Sequence, residues 1–373
     1  MASEEILPLG KLLQPISDEK PVGEDIREDS SPTSLYYSIK DARNSARAAE
    51  RNNMFDSNNT EADDEWRKIL EIAPDILENH AKDLEVASWY TEALIRRYGF
   101  QGLRDGFKLI HGLVQQYWDN LYPLPDEDGV ETRVASLTGL NGEGAEGVLI
   151  APIRNVDLTQ GNEPGPFNYW KYQQALEVDK IIDDETKNDK SAKLGFSLED
   201  VERAVTESTE SFFIDIRDDI SEAIDSFRES SRLLDEYCGI NDSPPSSNIL
   251  RTLEDCLGTI KHIGKYKMPD ETESEDQGDD SGNETSNNQP SGSNETQNTS
   301  GPIKSRQDAF KKLTEISEFF RKTEPHSPIS YILERTVKWG DMSLEDLMKE
   351  LIPDSSARDV YGTLTGVKTD DDY

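Results

Sequence analysis

The stretch DETESEDQGDDSGNETSNNQPSGSNETQNTS, residues 270–300, constrains this chain more than any other. It contains acids and amides but no base and no apolar side chain larger than proline. A segment of this kind cannot bury enough surface to offset the entropy of ordering it, and its like charges repel one another. Folded structure must therefore form on either side of it, and residues 270–302 are expected to be a disordered acidic linker. After it, 303–366 is expected to be a small helical domain. Before it, the text divides at a Gly/Pro break (GNEPGP, 161–166) into 1–160 and a middle region, 161–269.

The acidity is general, with a formal net charge of −36. Binding a phosphate backbone requires a cationic field, and an anionic membrane surface repels an acidic chain, so no nucleic acid is expected as a partner. No apolar run approaches the ~20 residues of a membrane span, so no direct membrane insertion is expected either. The opening residues, MASEEILPLGKLLQPIS, lack the basic start and apolar core of a secretory signal. Two cysteines, Cys238 and Cys256, and four scattered histidines make neither a disulfide framework nor a zinc site. A reducing, cytoplasmic setting without metal or cofactor follows as the expectation.

The fold class read from the pattern is all-α. In LEVASWYTEALIRRYG (84–99), Leu84, Ala87, Thr91, Leu94, Ile95 and Tyr98 recur at helical spacing, and Gly99 is the stop. Leu103, Phe107, Ile110, Val114, Tyr117 and Leu121 then form one apolar stripe, which predicts packing against another helix. Pro123 and Pro125 end it. The glycine-rich GLNGEGAEG lacks the GK[ST] of a phosphate loop and reads as a mobile surface loop. VLIAPIRNVDL (148–158) is compatible with a strand pair or an irregular arm.

Ser197 followed by Asp200 is a capping-box start. From about Thr206 to Tyr237 a long helix places Phe213, Ile216, Ile220, Ile224, Phe227 and Leu234 along one seam. A second helix, about 247–265, carries Ile249, Leu253, Cys256, Leu257 and Ile260. Such a hairpin is too thin to bury its stripe alone, so it must dimerise or dock. Cys256 reads as a small core residue.

The C-terminal region parses into short helices at 303–322, 328–339, 343–352 and 356–364. Between the first two stands TEPHSP (323–328), where a histidine lies among a glutamate, a serine and two prolines. Catalytic triads assemble in space, so adjacency does not argue for a hydrolase. Helix-start chemistry explains the string. Pro325 ends the preceding helix near Arg321 or Lys322, Ser327 is the N-cap and Pro328 the first helical residue. His326 at N′ can then fold against Tyr331. With no GxSxG, HExxH or EF-hand pattern, no catalytic residue is assigned. A domain this small gains stability by self-association, and Pro325, His326, Ser327, Pro328, Tyr331, Trp339, Leu347 and Leu351 are the candidate oligomerisation residues.

WDNLYPLP (118–125) is the other concentrated feature. Trp118 and Tyr122 either plug the end of the helical core or, with Pro123 and Leu124, form a partner-recognition patch.

Residues 84–144, with WDNLYP and the glycine loop in order, together with APIRNVDLT (151–159), closely resemble the ImpA-type N-terminal domain of TssA proteins of bacterial type VI secretion systems. PISDEKPVGEDIRED (15–29) resembles the start of that domain, and 321–352 resembles the short tail of the baseplate-associated class. The resemblance implies a non-enzymatic assembly factor: a homo-oligomeric ring, built of dimers, at the baseplate on the inner membrane. Its N-terminal arms would recruit or prime tail tube and sheath. A cap at the distal end of the growing sheath, and a helical adaptor unrelated to secretion, are the alternatives.

Overall fold

The fold is given by a computed structural model that describes residues 2–52, 60–127, 129–161, 164–239, 241–268, 306–323 and 328–340, with Met342, Leu347 and Glu350. Among these residues regular structure is helical, with isolated bridges between extended residues, and the all-α expectation holds. The acidic segment 270–302 lies outside the described residues. The chain forms two compact units, Met1–Asp279 and Asp280–Tyr373.

In the first unit the helices are α1 (Leu9–Leu12), α2 (Leu35–Asn52), α3 (Thr60–Asp75), then a π-helical turn (Ile76–His80) and α4 (Leu84–Tyr117). After these come α5 (Glu131–Asn141), α6 (Ile150–Asn155), α7 (Tyr169–Asp179), α8 (Asp184–Leu194), α9 (Leu198–Glu207), α10 (Glu210–Cys238) and α11 (Ser247–Ile263). The central helix is α4. Asp83 stands extended before it and accepts the Val86 N–H at 3.0 Å, satisfying one of the free donors of the first turn. Gly99, at φ 58° and ψ −139°, interrupts the helix where the sequence placed a stop, and helix resumes directly after it.

The single stripes expected on α4 underestimate its burial. Besides Leu84, Ala87, Thr91, Leu94 and Ile95, the residues Val86, Ser88, Trp89, Tyr90, Glu92 and Ala93 are also buried, whereas Tyr98 is 42% exposed. The reason is that α4 is packed by several helices, with α2 on its first half, where Tyr36 stacks on Trp89 and Arg43 pairs with Glu92 at 2.6 Å, and α10 on its second. Serine and threonine tolerate this because their hydroxyls bond back along the helix: Ser88 Oγ to the Leu84 carbonyl and Thr91 Oγ1 to that of Ala87, each at 2.8 Å.

The stretch read as one helix from Thr206 is two. α9 begins with the expected capping box of Ser197 and Asp200, and the chain then turns through extended Ser208 and Thr209. Thr209 caps α10 by accepting the Phe212 N–H at 3.2 Å. The α10 seam is buried along its length, and Phe107 of α4 meets Phe227 with ring centroids 4.6 Å apart. The hairpin of α10 and α11 therefore docks on α4, and burying each large seam side chain contributes ~1.5–3 kcal/mol. Cys256 lies wholly inside, and burial pushes its thiol up to about 12.

Two further expectations are corrected. Residues 150–155 are helical, neither a strand pair nor an irregular arm. Pro152 falls in the first turn of α6, where a missing N–H breaks no helical bond. The glycine loop after α5 is partly anchored. Asn141 is fully buried, its Oδ1 accepts the Ile249 N–H at 2.9 Å, and its carbonyl accepts from Asn248 Nδ2 at 3.2 Å. It caps α11, for which Ser246 provides no side-chain bond. Gly142 must be glycine here: its φ is +84°, and a Cβ would lie 2.2 Å from the Ala145 carbonyl oxygen.

The second unit contains α12 (Arg306–Thr323) and α13 (Ile329–Gly340), packed against each other. Ser317 Oγ donates to the buried Ser330 carbonyl at 2.8 Å, and Arg321 pairs with Glu334 at 2.6 Å. α12 runs to Thr323, slightly beyond the expected end. The Ile332 N–H bonds the Pro328 carbonyl at 3.0 Å, so Pro328 takes the cap position rather than the first helical one. Ile316, Phe319, Tyr331 and Ile332 of this pair are exposed.

Candidate functional site

The foot of α4 opens into a cleft of about 860 Å³. Three parts of the chain build it. Residues 19–25 and Glu28 form one wall, α4 from Gln115 onward with the turn through Tyr122 and Leu124 forms the floor, and Tyr237 from the end of α10 closes the far side. Trp118, Tyr122 and Leu124, picked out from the sequence as a candidate patch, thus line one cavity. Pro123 does not line it; its carbonyl accepts from Arg133 Nε at 3.0 Å.

Each wall is held by backbone. The Lys82 N–H bonds the Val22 carbonyl at 2.8 Å and the Glu24 N–H bonds that of His80 at 3.1 Å, tying the first wall to the segment before α4. On the other edge of that segment, the Tyr122 N–H bonds the Lys82 carbonyl at 3.1 Å and the Leu84 N–H bonds that of Tyr122 at 2.8 Å. Gly23 sits where the first wall crosses: φ is +76° and a Cβ would lie 1.9 Å from the His80 carbonyl oxygen. Arg27 reinforces the crossing through Asp83 and Glu85, each at 2.6 Å.

Beneath the cleft lies Lys82, fully buried and without a carboxylate partner. Its Nζ donates to the carbonyls of Leu12 at 2.7 Å and Leu77 at 2.6 Å, and burial lowers its pKa to about 8. Buried Arg133 sets the floor. It lies 4.9 Å from the Trp118 ring centroid and donates Nη1 to the Trp118 carbonyl at 2.7 Å. Trp118 stacks on Tyr237 with centroids 5.2 Å apart and planes 16° apart, and it remains half-buried. Trp118 therefore closes the α4–α10 junction, as the first reading of WDNLYPLP expects, and also lines the cavity.

The electrostatics are one-sided. Glu19, Glu24, Asp25, Glu28 and Asp119 line the cleft, with Lys20 as the single cation among the lining residues. Glu24 occupies Lys20 at 2.5 Å, and Asp25 is engaged by Arg27 at 3.1 Å. Glu19, Glu28 and Asp119 form no ion pair with a described residue. Burial, and next the charges of Asp25 and Glu28, raise the Tyr122 phenol above its ordinary pKa.

Tyr237 and the 19–28 wall were missed by sequence reading. Tyr237 ends an otherwise amphipathic helix far along the chain, and nothing local marks it as facing Trp118. The 19–28 acids were lost in a chain rich in acids. Among the C-terminal candidates, Pro328 and Tyr331 are exposed, and Arg321 lies over the Tyr331 ring at 5.7 Å. Trp339 is half-buried with Arg335 over it at 5.2 Å, and Leu347 is half-buried. Pro325, His326, Ser327 and Leu351 lie outside the described residues. No group of three metal-ligating side chains occurs among the described residues.

The first unit is thus organised on one central helix, with a cleft at its foot. Residues 13–142 match the family model for ImpA, N-terminal, type VI secretion system. The chain is 23% identical over 369 residues to the type VI secretion system component TssA1 of Pseudomonas aeruginosa, covering 96% of this chain and 98% of that protein. It is also similar to a solved structure, the N-terminal domain including the conserved ImpA_N region of the TssA component of the type VI secretion system from Burkholderia cenocepacia. There the TM-score is 0.57 and the identity 26%, with 72% of this chain and 98% of that one covered. These likenesses bear out the TssA resemblance drawn from the residues. Of the cleft, all but Tyr237 falls within the matched region.

Proposed function

We propose that this chain is a non-enzymatic assembly factor of a type VI secretion system. In this reading, residues 303–366 associate into a ring built of dimers, and the acidic linker lets the N-terminal units reach out as arms. The arms contact baseplate, tube or sheath components through the cleft at the foot of α4, and the ring recruits or primes polymerisation from the cytoplasmic side of the inner membrane. The observation that carries this is the cleft, placed almost wholly inside the ImpA-type region and lined by half-exposed aromatics. A ring of such arms gains avidity without any single strong contact. Tyr331, Ile332 and Ile316, at 60%, 58% and 45% exposure, support self-association of the C-terminal unit.

Sedimentation velocity on the full chain tests the oligomeric part. The expected result is a discrete species of at least six protomers that falls to smaller forms in Tyr331→Ser/Ile332→Ser. A monodisperse wild-type monomer at micromolar concentration would contradict it.

A further inference from the structure

We infer that the cleft takes a cationic segment of a partner protein, one whose lysines or arginines alternate with apolar residues. The inference rests on the reading of the cleft as the partner site and adds the chemistry of the occupant. Glu19, Glu28 and Asp119 line a cavity of about 860 Å³ and form no close ion pair with a described residue, with Lys20 and Arg133 acting on Glu28 and Asp119 only from a distance. Gln115 to Trp118 of α4 line the same space, but the helix end adds no free negative charge, because the Tyr117 carbonyl accepts the Asn120 and Leu121 N–H groups and that of Trp118 accepts from Arg133. The carboxylates therefore set the sign of the field, and after burial the charges of Asp25 and Glu28 raise the Tyr122 phenol.

The apolar half of the site matches such an occupant as well. Tyr237 covers the Trp118 ring, which Arg133 also overlies, so the exposed apolar part of the site is Tyr237, 41% exposed, and Leu124, 48% exposed. Lysine and arginine lay their methylene stems on surfaces of this kind while the charged head reaches the rim, and an aromatic face attracts the cation itself. An acidic segment would face three unpaired carboxylates.

The full-length chain titrated with two labelled nine-residue peptides tests this by fluorescence polarisation. One peptide alternates lysine with leucine, the other glutamate with leucine. The lysine peptide is expected to bind at least tenfold more tightly and to weaken as salt rises. Glu19→Gln/Glu28→Gln/Asp119→Asn should reduce its affinity about tenfold. Asp184→Asn/Glu185→Gln/Asp189→Asn, which removes the same charge from exposed α8, should change it less than threefold. Equal losses in both triple variants would reduce the effect to general attraction toward an acidic chain and overturn the inference. Equal affinity for the two peptides would overturn it too. The partner-site reading fails separately, if Leu124→Ala/Tyr237→Ala leaves secretion intact. If that variant stops secretion while the peptides bind equally, the site stands and its cationic occupant does not.

Discussion

The second half of α4 meets α10 at two places with opposite character. Near its start, Arg104 donates to Asp105 at 2.8 Å and to Asp219 of α10 at 2.6 Å. Ser3 adds two bonds to Asp219, and the N–H groups of Ile6 and Leu7 reach Asp105 at 2.6 and 3.1 Å. All three charged side chains are almost fully buried, and each has a partner. At the foot, Trp118 and Tyr237 hold the same two helices together, yet the aromatics stay half-open and three nearby carboxylates have no ion-pair partner among the described residues. The first junction is closed in the sense that each of these buried charges is paired, although a cavity of about 460 Å³ opens beside Arg104 and Ser3. The second holds the fold and leaves surface and charge unused. Buried polar groups in native proteins are as a rule satisfied, and the first junction follows that rule.

The largest expected effect breaks the closed junction. Arg104→Ala strands Asp105 and Asp219 without their cation, at a cost of about 3–5 kcal/mol, because removing one partner of a buried pair leaves the other uncompensated. Urea unfolding should show it as a lowered midpoint with an unchanged slope. A loss below about 1 kcal/mol would mean that the N-terminal strap, not the arginine, holds those acids.

A smaller effect concerns Lys82 beneath the open end. Its folded pKa, about 8, lies below the ordinary lysine value of 10.5 because burial disfavours the charged form. The unfolded chain therefore binds this proton more tightly, and the lysine's unfavourable contribution is relieved as pH rises from about 8 toward 10.5. Between pH 8 and 9.5 the wild type should gain stability relative to Lys82→Met, with a slope of at most about 1.4 kcal/mol per pH unit. Parallel profiles would show that the two carbonyl bonds fully compensate the buried charge.

Much of this was legible before the fold was known. The all-α class, the Gly99 break, the Ser197 capping box and the α10 seam follow from spacing and local chemistry, which act within a few residues. What was not legible depends on tertiary neighbours. Polar Ser88 and Glu92 fall outside the apolar stripe read from the sequence, yet surrounding helices bury them. Asn141 looked like part of a loose glycine loop because the N–H groups it caps belong to α11, far along the chain. The cleft was half-seen. WDNLYPLP advertises aromatics and prolines in one short run, whereas Tyr237 and the 19–28 wall reach it only through folding.

The central claim is that the open end of α4 binds partners while the closed end maintains the fold. The most direct measurement is type VI secretion in a strain whose sole chain of this type carries Leu124→Ala/Tyr237→Ala, with thermal unfolding of the same purified variant. Both side chains are more than two-fifths exposed, so truncating them should lower the melting temperature by only about 2–4 °C. The account predicts that secretion is lost at this near-native stability. Normal secretion by a stable variant would contradict it.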